Sequence, residues 1–261
     1  MDVTIVGCSG SFAGPESPAS SYLVRAEHEG RTWTLVLDLG AGALGPLQRH
    51  TNPLTVDAFL ITHLHVDHFI DLCGLYVMKK YAPLDRQGPP ERADRALPVH
   101  GPAATARQLV ATYGTPERED VPGVFEIHDL ADRASIEVGP FTVTPYLVNH
   151  PVESYGFRVE AGGRTLAYTG DTDTCAALAP LMAGADLVLA DAAFVDGRDE
   201  TRGIHLSGRR AAEAAVCAGG VSRLMLTHLP VWNDPELCRS QAAAVWPGEV
   251  ELAQPGATYA I

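Results

Sequence analysis

Short apolar runs, broken by Gly and Pro, alternate along the chain with stretches of helical periodicity. Runs of about four to eight apolar and β-branched residues between turn residues are typical of buried strands. The pattern predicts strands at Val3–Gly7, Ser21–Arg25, Thr32–Asp38, Val56–Thr62, Phe141–Leu147, Tyr155–Val159, Thr165–Thr169, Leu187–Ala190, Leu224–Thr227 and Val250–Ala253.

The helical stretches carry recognisable start and stop signals. Their 3.6-residue period predicts helices over residues 68–81, 103–113, 174–183, 207–218 and 234–246. Ser207 is a typical N-cap residue, and Gly219-Gly220 ends the helix that follows it. Asp234-Pro235 opens the last helix, because proline suits the first helical position.

The order of these elements predicts the fold class. Strands come in clusters as well as in alternation with helices, which favours an α/β fold of two mixed β-sheets with helices outside. A chain of 261 residues is within the range of one domain, so residues 1–261 are expected to form a single domain. The polar stretches 83–95 and 115–122 are predicted to be surface loops, each either a solvated connection or a substrate-facing lid.

Potential metal ligands gather directly after the apolar run Val56–Ile61, in the order His63, His65, Asp67, His68. On extended backbone, residues two apart point to the same side, so His63 and His65 can bind one ion together. Asp67 and His68 begin the next predicted helix and turn towards a second ion. Each residue alone has an ordinary structural explanation, but the H-x-H-x-D-H cluster predicts a metal site. Neutral imidazoles and carboxylates suit zinc, and they tolerate manganese or iron.

Further ligand-type residues follow other predicted strands. His150 comes after Phe141–Leu147, Asp171 after Thr165–Thr169, and His228 after Leu224–Thr227. Each alone is more often a loop or turn residue than a ligand. Together they supply a bridging carboxylate and enough ligands for two coordination shells. The sequence therefore predicts two divalent metal ions per chain, Zn²⁺ first, with Mn²⁺ or Fe²⁺ as alternatives.

Charge narrows the class of partner. The formal net charge is −13, with 19 Lys and Arg against 32 Asp and Glu. Nucleic-acid affinity rests largely on phosphate neutralisation by Lys and Arg, which form no dense patch here. This balance argues against long RNA or DNA as substrate. It leaves open a small anionic phosphodiester drawn to the metal ions.

Compartment is predicted from what the sequence lacks. There is no apolar run of about 18 residues, so no membrane span is expected. The strand-like start at Met1–Val6 lacks the basic region of a signal peptide. The five cysteines are scattered without a C-x-x-C pair, as free thiols are. These observations predict a cytoplasmic protein, and whether it forms a homodimer stays open.

The motifs and their order resemble those of the metallo-β-lactamase superfamily along essentially the whole chain. The matching segments are Asp38-Leu39-Gly40, the H-x-H-x-D-H loop, His150, Gly170-Asp171-Thr172 and Thr227-His228. The resemblance implies a four-layer αββα sandwich with the site at one edge. It implies one ion bound by His63, His65 and His150, a second bound by Asp67, His68 and His228, and Asp171 bridging both. Asp38 would steady the histidine loop or, alternatively, be an ordinary turn acid.

A proton donor for the leaving group is also implied. The position of His205, in Gly203-Ile204-His205-Leu206, resembles that of the proton-donating histidine of the ribonuclease Z-like phosphodiesterase branch. Asp191 matches the acidic residue that supports it there, although the branch more often carries Glu. The expected catalytic residues are therefore His205, Asp191 and Asp67. The alternative for His205 is a surface residue flanking a helix.

The resemblance also narrows the substrate. Ribonuclease Z carries a long tRNA-gripping arm between its third and fourth metal motifs, whereas His150 and Asp171 lie close enough here to leave room only for a hairpin. The opening Val6-Gly7-Cys8-Ser9-Gly10-Ser11 resembles that of bacterial cyclic-nucleotide phosphodiesterases of this fold. The expected reaction is hydrolysis of a small cyclic phosphodiester such as cyclic AMP. The alternatives are ribonuclease Z-like RNA 3′-processing and carbon-ester hydrolysis by a lactonase or thioesterase. Trp232, soon after His228, would either stack on a substrate base or pack under its own loop.

Overall fold

A computed structural model describes residues 1–88, 95–114, 121 and 123–261, whose strands form two mixed sheets of seven. The first sheet is built from β1 (Asp2–Gly7), β2 (Ser21–His28), β3 (Arg31–Leu37), β4 (Ala58–Leu60), β5 (Leu97–Gly101), β6 (Phe125–Asp129) and β14 (Thr258–Ala260). Its spatial order is β14-β1-β2-β3-β4-β5-β6. Pairing is antiparallel from β14 to β3 and parallel from β3 to β6.

The second sheet has a matching layout. It is built from β7 (Ile136–Val138), β8 (Phe141–Leu147), β9 (Tyr155–Ala161), β10 (Arg164–Tyr168), β11 (Leu187–Asp191), β12 (Leu224–Thr227) and β13 (Val250–Leu252). Its spatial order is β13-β12-β11-β10-β9-β8-β7. Pairing is parallel from β13 to β10 and antiparallel from β10 to β7.

Helices cover the outer face of each sheet. The first sheet is covered by α1 (Leu44–Leu47), α2 (Val66–Phe69), α3 (Leu72–Tyr81) and α4 (Thr105–Tyr113), and the second by α5 (Leu178–Met182), α6 (Gly208–Ala218) and α7 (Pro235–Ala243). Short 3₁₀ turns lie at Pro53–Thr55 and Leu84–Arg86. The layers therefore run helix, sheet, sheet, helix.

Three apolar clusters hold these layers together. The central cluster lies between the sheets and joins Tyr22 and Leu35 of the first sheet to Phe157 and Leu189 of the second. A second cluster packs the first sheet against α3, and a third packs the second sheet against α5, α6 and α7. Because strand side chains alternate between faces, each sheet contributes to two clusters at once. The predicted αββα fold of two mixed sheets is confirmed.

The predicted strands are all present, but four strands were missed. In the sequence, Pro98 of β5 and the polar residues of β6 are features that disfavour a strand. β7 and β14 have three residues each and lie at sheet edges. Such segments are extended because they pair with a neighbouring strand. Their short sequences carry little indication of that pairing.

The helix boundaries differ from the prediction in three places, one of which is the predicted helix 234–246, which ends at Ala243. The predicted helix 68–81 is two helices, because Asp71 N donates to Leu39 O at 3.1 Å instead of continuing the helical ladder. The predicted helix 174–183 begins only at Leu178. The caps at Ser207 and Asp234 are as predicted, since both side chains accept backbone N–H groups. The predicted loops 83–95 and 115–122 lie partly outside the described residues, at 89–94, 115–120 and 122.

Strand ends from both sheets converge at one edge of the sandwich. Asp38 follows β3, His63 follows β4, Asp191 ends β11 and His228 follows β12. The chain between β8 and β9 brings His150 to the same edge. In the ranges the structure describes, no helix is both long and apolar enough to span a membrane.

Candidate metal centre

Asp38 anchors the histidine loop from beneath. Its carboxylate is fully buried, and Oδ1 accepts the Thr62 backbone N–H at 2.7 Å. Oδ2 accepts from His68 Nδ1 at 2.8 Å and from the Tyr168 hydroxyl at 2.8 Å. Asp38 itself has φ 59°, a left-handed conformation that is costly for a residue other than glycine. The carboxylate therefore holds Thr62 and His68 in place from a strained turn, as a supporting residue rather than a simple turn acid.

Three histidines form the first group of potential ligands. Nε2 of His63 lies 3.0 Å from Nδ1 of His65, and Nε2 of His150 lies 3.1 Å from that same nitrogen. Two nitrogens bound to one tetrahedral zinc ion, each at about 2.0–2.1 Å, lie about 3.3 Å apart. The separations thus match three imidazoles sharing one ion.

Hydrogen bonds on the far side fix which nitrogens face inward. Thr62 Oγ1 donates its only hydrogen to Asp38, so it accepts from Nδ1 of His63 at 3.0 Å. His150 Nδ1 donates to the backbone carbonyl of Ile204 at 2.8 Å. Both histidines therefore present an unprotonated Nε2 to the group. Burial lowers the pKa of His63, His65 and His150, which keeps these imidazoles neutral.

The second group contains two carboxylates and two histidines. Asp171 Oδ1 lies 3.2 Å from His68 Nε2, and its Oδ2 lies 3.2 Å from His228 Nε2. Asp67 Oδ2 is 3.5 Å from His68 Nε2 and 3.7 Å from His228 Nε2. Asp171 Oδ2 is also 3.7 Å from His63 Nε2. Asp171 therefore lies between the two groups, as a bridging ligand would.

Two buried atoms of this second group make no well-directed hydrogen bond. His68 Nε2 and Asp171 Oδ1 lie 3.2 Å apart, yet neither forms a hydrogen bond of good geometry with a described residue. A buried polar atom without a hydrogen bond costs roughly 1–3 kcal/mol, so a cation or proton bound between such atoms would stabilise the fold. Although burial opposes a charge on His68, Asp171 and Asp38 raise its pKa well above the ordinary value. The same carboxylates would attract a divalent cation, and the residues present fit one.

His205 lies beside this group, and Asp191 orients it. His205 Nδ1 donates to Asp191 Oδ2 at 2.9 Å and lies 3.9 Å from Asp171 Oδ2. Its side chain is 11 % exposed, so it is no ordinary surface residue. Burial favours the neutral ring, but Asp191 outweighs it and raises the pKa of His205 to about 9. The pair thus holds an oriented imidazole at the edge of the cluster.

Asp191 is held as firmly as the histidine it supports. Its Oδ2 also accepts the backbone N–H of Thr172 at 3.1 Å, and its Oδ1 accepts that of Ala193 at 3.0 Å. Ligand atoms of Asp171, Asp191, His205 and His228 lie within 4.8 Å of one another, so this set could itself hold an ion. The hydrogen bonds already made by Asp191 favour its role as the partner of His205.

Some supporting residues carried no assigned role in the sequence. Tyr168 donates to Asp38, and Ser20 Oγ lies 3.0 Å from His228 Nδ1. Ser20 lies nine residues after the opening Val6–Ser11, whose resemblance to that of cyclic-nucleotide phosphodiesterases of this fold was the nearest available signal. Tyr168 falls at the end of an apolar strand, where nothing distinguishes it from a core residue. The carbonyl of Ile204 is a backbone group and leaves no mark in the sequence.

Comparison with known proteins agrees with this geometry. The fold and the clustered histidines and aspartates define a metal-dependent hydrolase. The sequence model of the Beta-lactamase superfamily domain matches residues 34–229, and the chain belongs to this superfamily. An uncharacterized protein of Mycobacterium tuberculosis is 42% identical over 252 residues, covering 95% of this chain and 88% of the relative.

Three further proteins align with this chain over almost the full length of both partners. The probable metallo-hydrolase YhfI of Bacillus subtilis is 30% identical over 257 residues, covering 98% of each chain. Its crystal structure superposes with a TM-score of 0.85 at 27% identity, over 99% of this chain and 98% of that one. Ribonuclease Z of Myxococcus xanthus is 27% identical over 307 residues, covering 99% of this chain and 97% of the relative. Human tRNase Z, short form, shares the fold with a TM-score of 0.75 at 23% identity, over 100% of this chain and 99% of that one.

Proposed function

We propose that the protein is a phosphodiesterase with two metal ions that hydrolyses a small cyclic phosphodiester, with a 3′,5′-cyclic nucleotide such as cyclic AMP as the substrate. The observation that carries the proposal is the 2.9 Å hydrogen bond from His205 Nδ1 to Asp191 beside the ligand cluster. An oriented imidazolium at this position supplies a proton to a leaving group. Phosphodiester cleavage needs that proton because its leaving alkoxide is a strong base.

The ligand assignment follows the two groups. His63, His65 and His150 would hold one ion, Asp67, His68 and His228 the other, and Asp171 would contact both. Zn²⁺ suits this donor set best, with Mn²⁺ or Fe²⁺ as alternatives. When bound, two such ions lower the pKa of a water molecule and polarise a phosphoryl oxygen.

His205 and Asp67 then have complementary roles. Hydrolysis forms a bond from a water oxygen to phosphorus and breaks the bond from phosphorus to O3′. Because His205 Nδ1 is bound to Asp191, the proton that reaches O3′ comes from Nε2, and the proton lost by water restores the imidazolium. Burial alone would raise the pKa of Asp67, but contact with His68 lowers it to about 2. Asp67 therefore stays ionised and orients the attacking water by accepting its hydrogen bond.

The net charge and the short segment between His150 and Asp171 favour a small substrate over long RNA. The net charge of −13 repels a polyanion away from the metal ions. The segment from His150 to Asp171 forms the hairpin of β9 and β10, joined at Gly162-Gly163, with no room for an arm. Because some relatives are named ribonuclease Z, RNA 3′-processing is the rival activity. A carbon-ester hydrolase is the other alternative, and it would use the same ions without needing His205.

A substrate panel tests the proposal. The metal-loaded protein is assayed with 3′,5′-cyclic AMP, a precursor tRNA and a simple lactone at matched concentrations, with products resolved by chromatography. We expect conversion of cyclic AMP to AMP to have the highest kcat/KM. Cleavage of the precursor tRNA with a higher kcat/KM would assign the chain to RNA processing, and preferred lactone opening would assign it to ester hydrolysis.

A further inference from the structure

Two exposed aromatic rings lie on loops that adjoin the predicted ligand His228. Phe12 lies in the loop after β1, and Trp232 lies in the loop after β12. Their ring centroids are 5.0 Å apart, with 48° between the ring planes. Trp232 is 60% exposed and Phe12 is 38% exposed, so the pair contact each other yet keep faces open to solvent.

The loop of Phe12 packs against a predicted metal ligand. The backbone N of Ser11, the residue before Phe12, lies 3.4 Å from His228 Nε2, the nitrogen proposed to face the second ion. Gly10 packs against the backbone of His228 so closely that a Cβ atom there would lie 2.3 Å from its carbonyl oxygen. Ser9 also forms a β-bridge with Leu229. Phe12 is therefore one residue away from an atom that touches the cluster.

The loop of Trp232 is equally well fixed while its ring is not covered. The Asn233 side chain is buried and donates to the Ala193 carbonyl at 2.8 Å, and Asn233 N donates to Pro230 O at 2.9 Å. A Cβ atom at Gly14 would lie 2.5 Å from Val231 Cγ1, so the two loops interlock. An indole that is 60% exposed has not simply packed under its own loop, and it offers a flat surface on the loop that follows the predicted ligand His228.

We propose that Phe12 and Trp232 form a stacking platform for the nucleobase of the substrate. This inference rests on the proposed phosphodiesterase activity and names the part of the substrate that sets affinity. Phe12 directly follows Ser11, whose backbone N lies 3.4 Å from His228 Nε2. Stacking tolerates any base and strengthens with ring area, so purines bind better than pyrimidines. With a net charge of −13, the protein surface gives a nucleotide little long-range attraction, and ring contact supplies affinity instead.

Kinetics on a matched pair of substrates test the platform. The substrates are 3′,5′-cyclic AMP and methyl riboside 3′,5′-cyclic phosphate, which has the same diester ring but no base. Trp232→Ala should lower kcat/KM for cyclic AMP about 5- to 150-fold, mainly through KM, and leave the base-free substrate unchanged. Phe12→Ala should lower it less, and Trp232→Phe should retain most activity. Tyr81→Ala, which removes an equally exposed ring on α3, is the control and should change nothing.

Equal losses on both substrates in Trp232→Ala would mean that the loop shapes the metal centre, and no loss on either would mean that no base subsite exists. Either result overturns the platform. If the wild-type protein hydrolyses neither substrate, the proposed activity fails, and tryptophan fluorescence then tests the platform alone. Titration with AMP, which has no diester to cleave, should quench wild-type fluorescence but not that of Trp232→Phe. Absence of quenching in the wild type would reject the platform.

Discussion

His150 Nδ1 donates a 2.8 Å hydrogen bond to the backbone carbonyl of Ile204, the residue directly before His205. A predicted metal ligand and the predicted proton donor are therefore fixed by the same short loop. That loop is tied down in turn by Asp173, which accepts from Gly203 N at 2.7 Å and from Arg202 Nε at 3.0 Å. The position of the predicted proton donor, His205, thus depends on the buried carboxylate of Asp173, which lies outside the ligand set.

Removing that carboxylate should cost both stability and loop order. Asp173 also accepts from Arg210 Nη1 at 2.7 Å, and the Arg210 side chain is only 9% exposed. Breaking a buried ion pair from one side costs about 3–5 kcal/mol, because the other charge stays buried. We expect Asp173→Ala to lower the free energy of unfolding by that order, measured by urea denaturation. The control Glu236→Ala breaks an exposed pair with Arg239 and should cost about 0.5 kcal/mol or less. Similar losses in the two variants would contradict this role of Asp173.

Metal content tests the bridging position of Asp171. Elemental analysis of the purified, unchelated protein should give close to two transition-metal equivalents per chain. Because Asp171 faces both ligand groups, Asp171→Ala should hold about one equivalent or less, whereas His28→Ala, at an exposed strand end, should hold as much as the wild type. Full activity after chelation, with no metal detected, would contradict the dinuclear assignment.

A pair of histidines away from the site should make stability depend on pH. His100 and His128 stack with centroids 4.8 Å apart, and burial together with His128 lowers the pKa of His100 to about 4. The folded protein binds this proton less tightly than the unfolded chain, whose histidine titrates near 6.5. The stability held by neutral His100 is therefore complete above pH 6.5 and is lost as the pH falls towards 4.

Urea unfolding at pH 7, 6 and 5 measures this effect. His100→Gln cannot be protonated, so its unfolding free energy should fall less steeply with decreasing pH than that of the wild type. His28→Gln, at an exposed position, should keep the wild-type slope. Equal slopes in wild type and His100→Gln would show that His100 does not contribute.

The parts of the structure that the sequence predicted are those encoded locally. His63, His65, Asp67 and His68 fall within one short segment, so their approach follows from strand and helix geometry alone. Ten strands were recognisable from short apolar runs between turn residues, whereas the four missed strands are short, polar or interrupted by proline. Contacts such as Tyr168 to Asp38 join residues 130 positions apart, and no local pattern specifies them. The break at Asp71 and the carbonyl of Ile204 likewise depend on backbone groups that only the folded chain brings together.

We propose that His205, oriented by Asp191, protonates the leaving group of a phosphodiester. The direct test compares kcat/KM of His205→Ala on 3′,5′-cyclic AMP and on a nitrophenyl phosphodiester, with metal content measured in parallel. A nitrophenolate leaves without needing a proton, whereas a positioned acid contributes about 10²–10⁴-fold for an alkoxide. Asp191→Asn, which keeps the shape but loses the charge, should show a milder version of the same pattern.

We expect His205→Ala to lose about 10²-fold or more of its kcat/KM on cyclic AMP, with little change on the nitrophenyl substrate and unchanged metal content. An equal loss on both substrates, or retained hydrolysis of cyclic AMP by His205→Ala, would contradict this proposal.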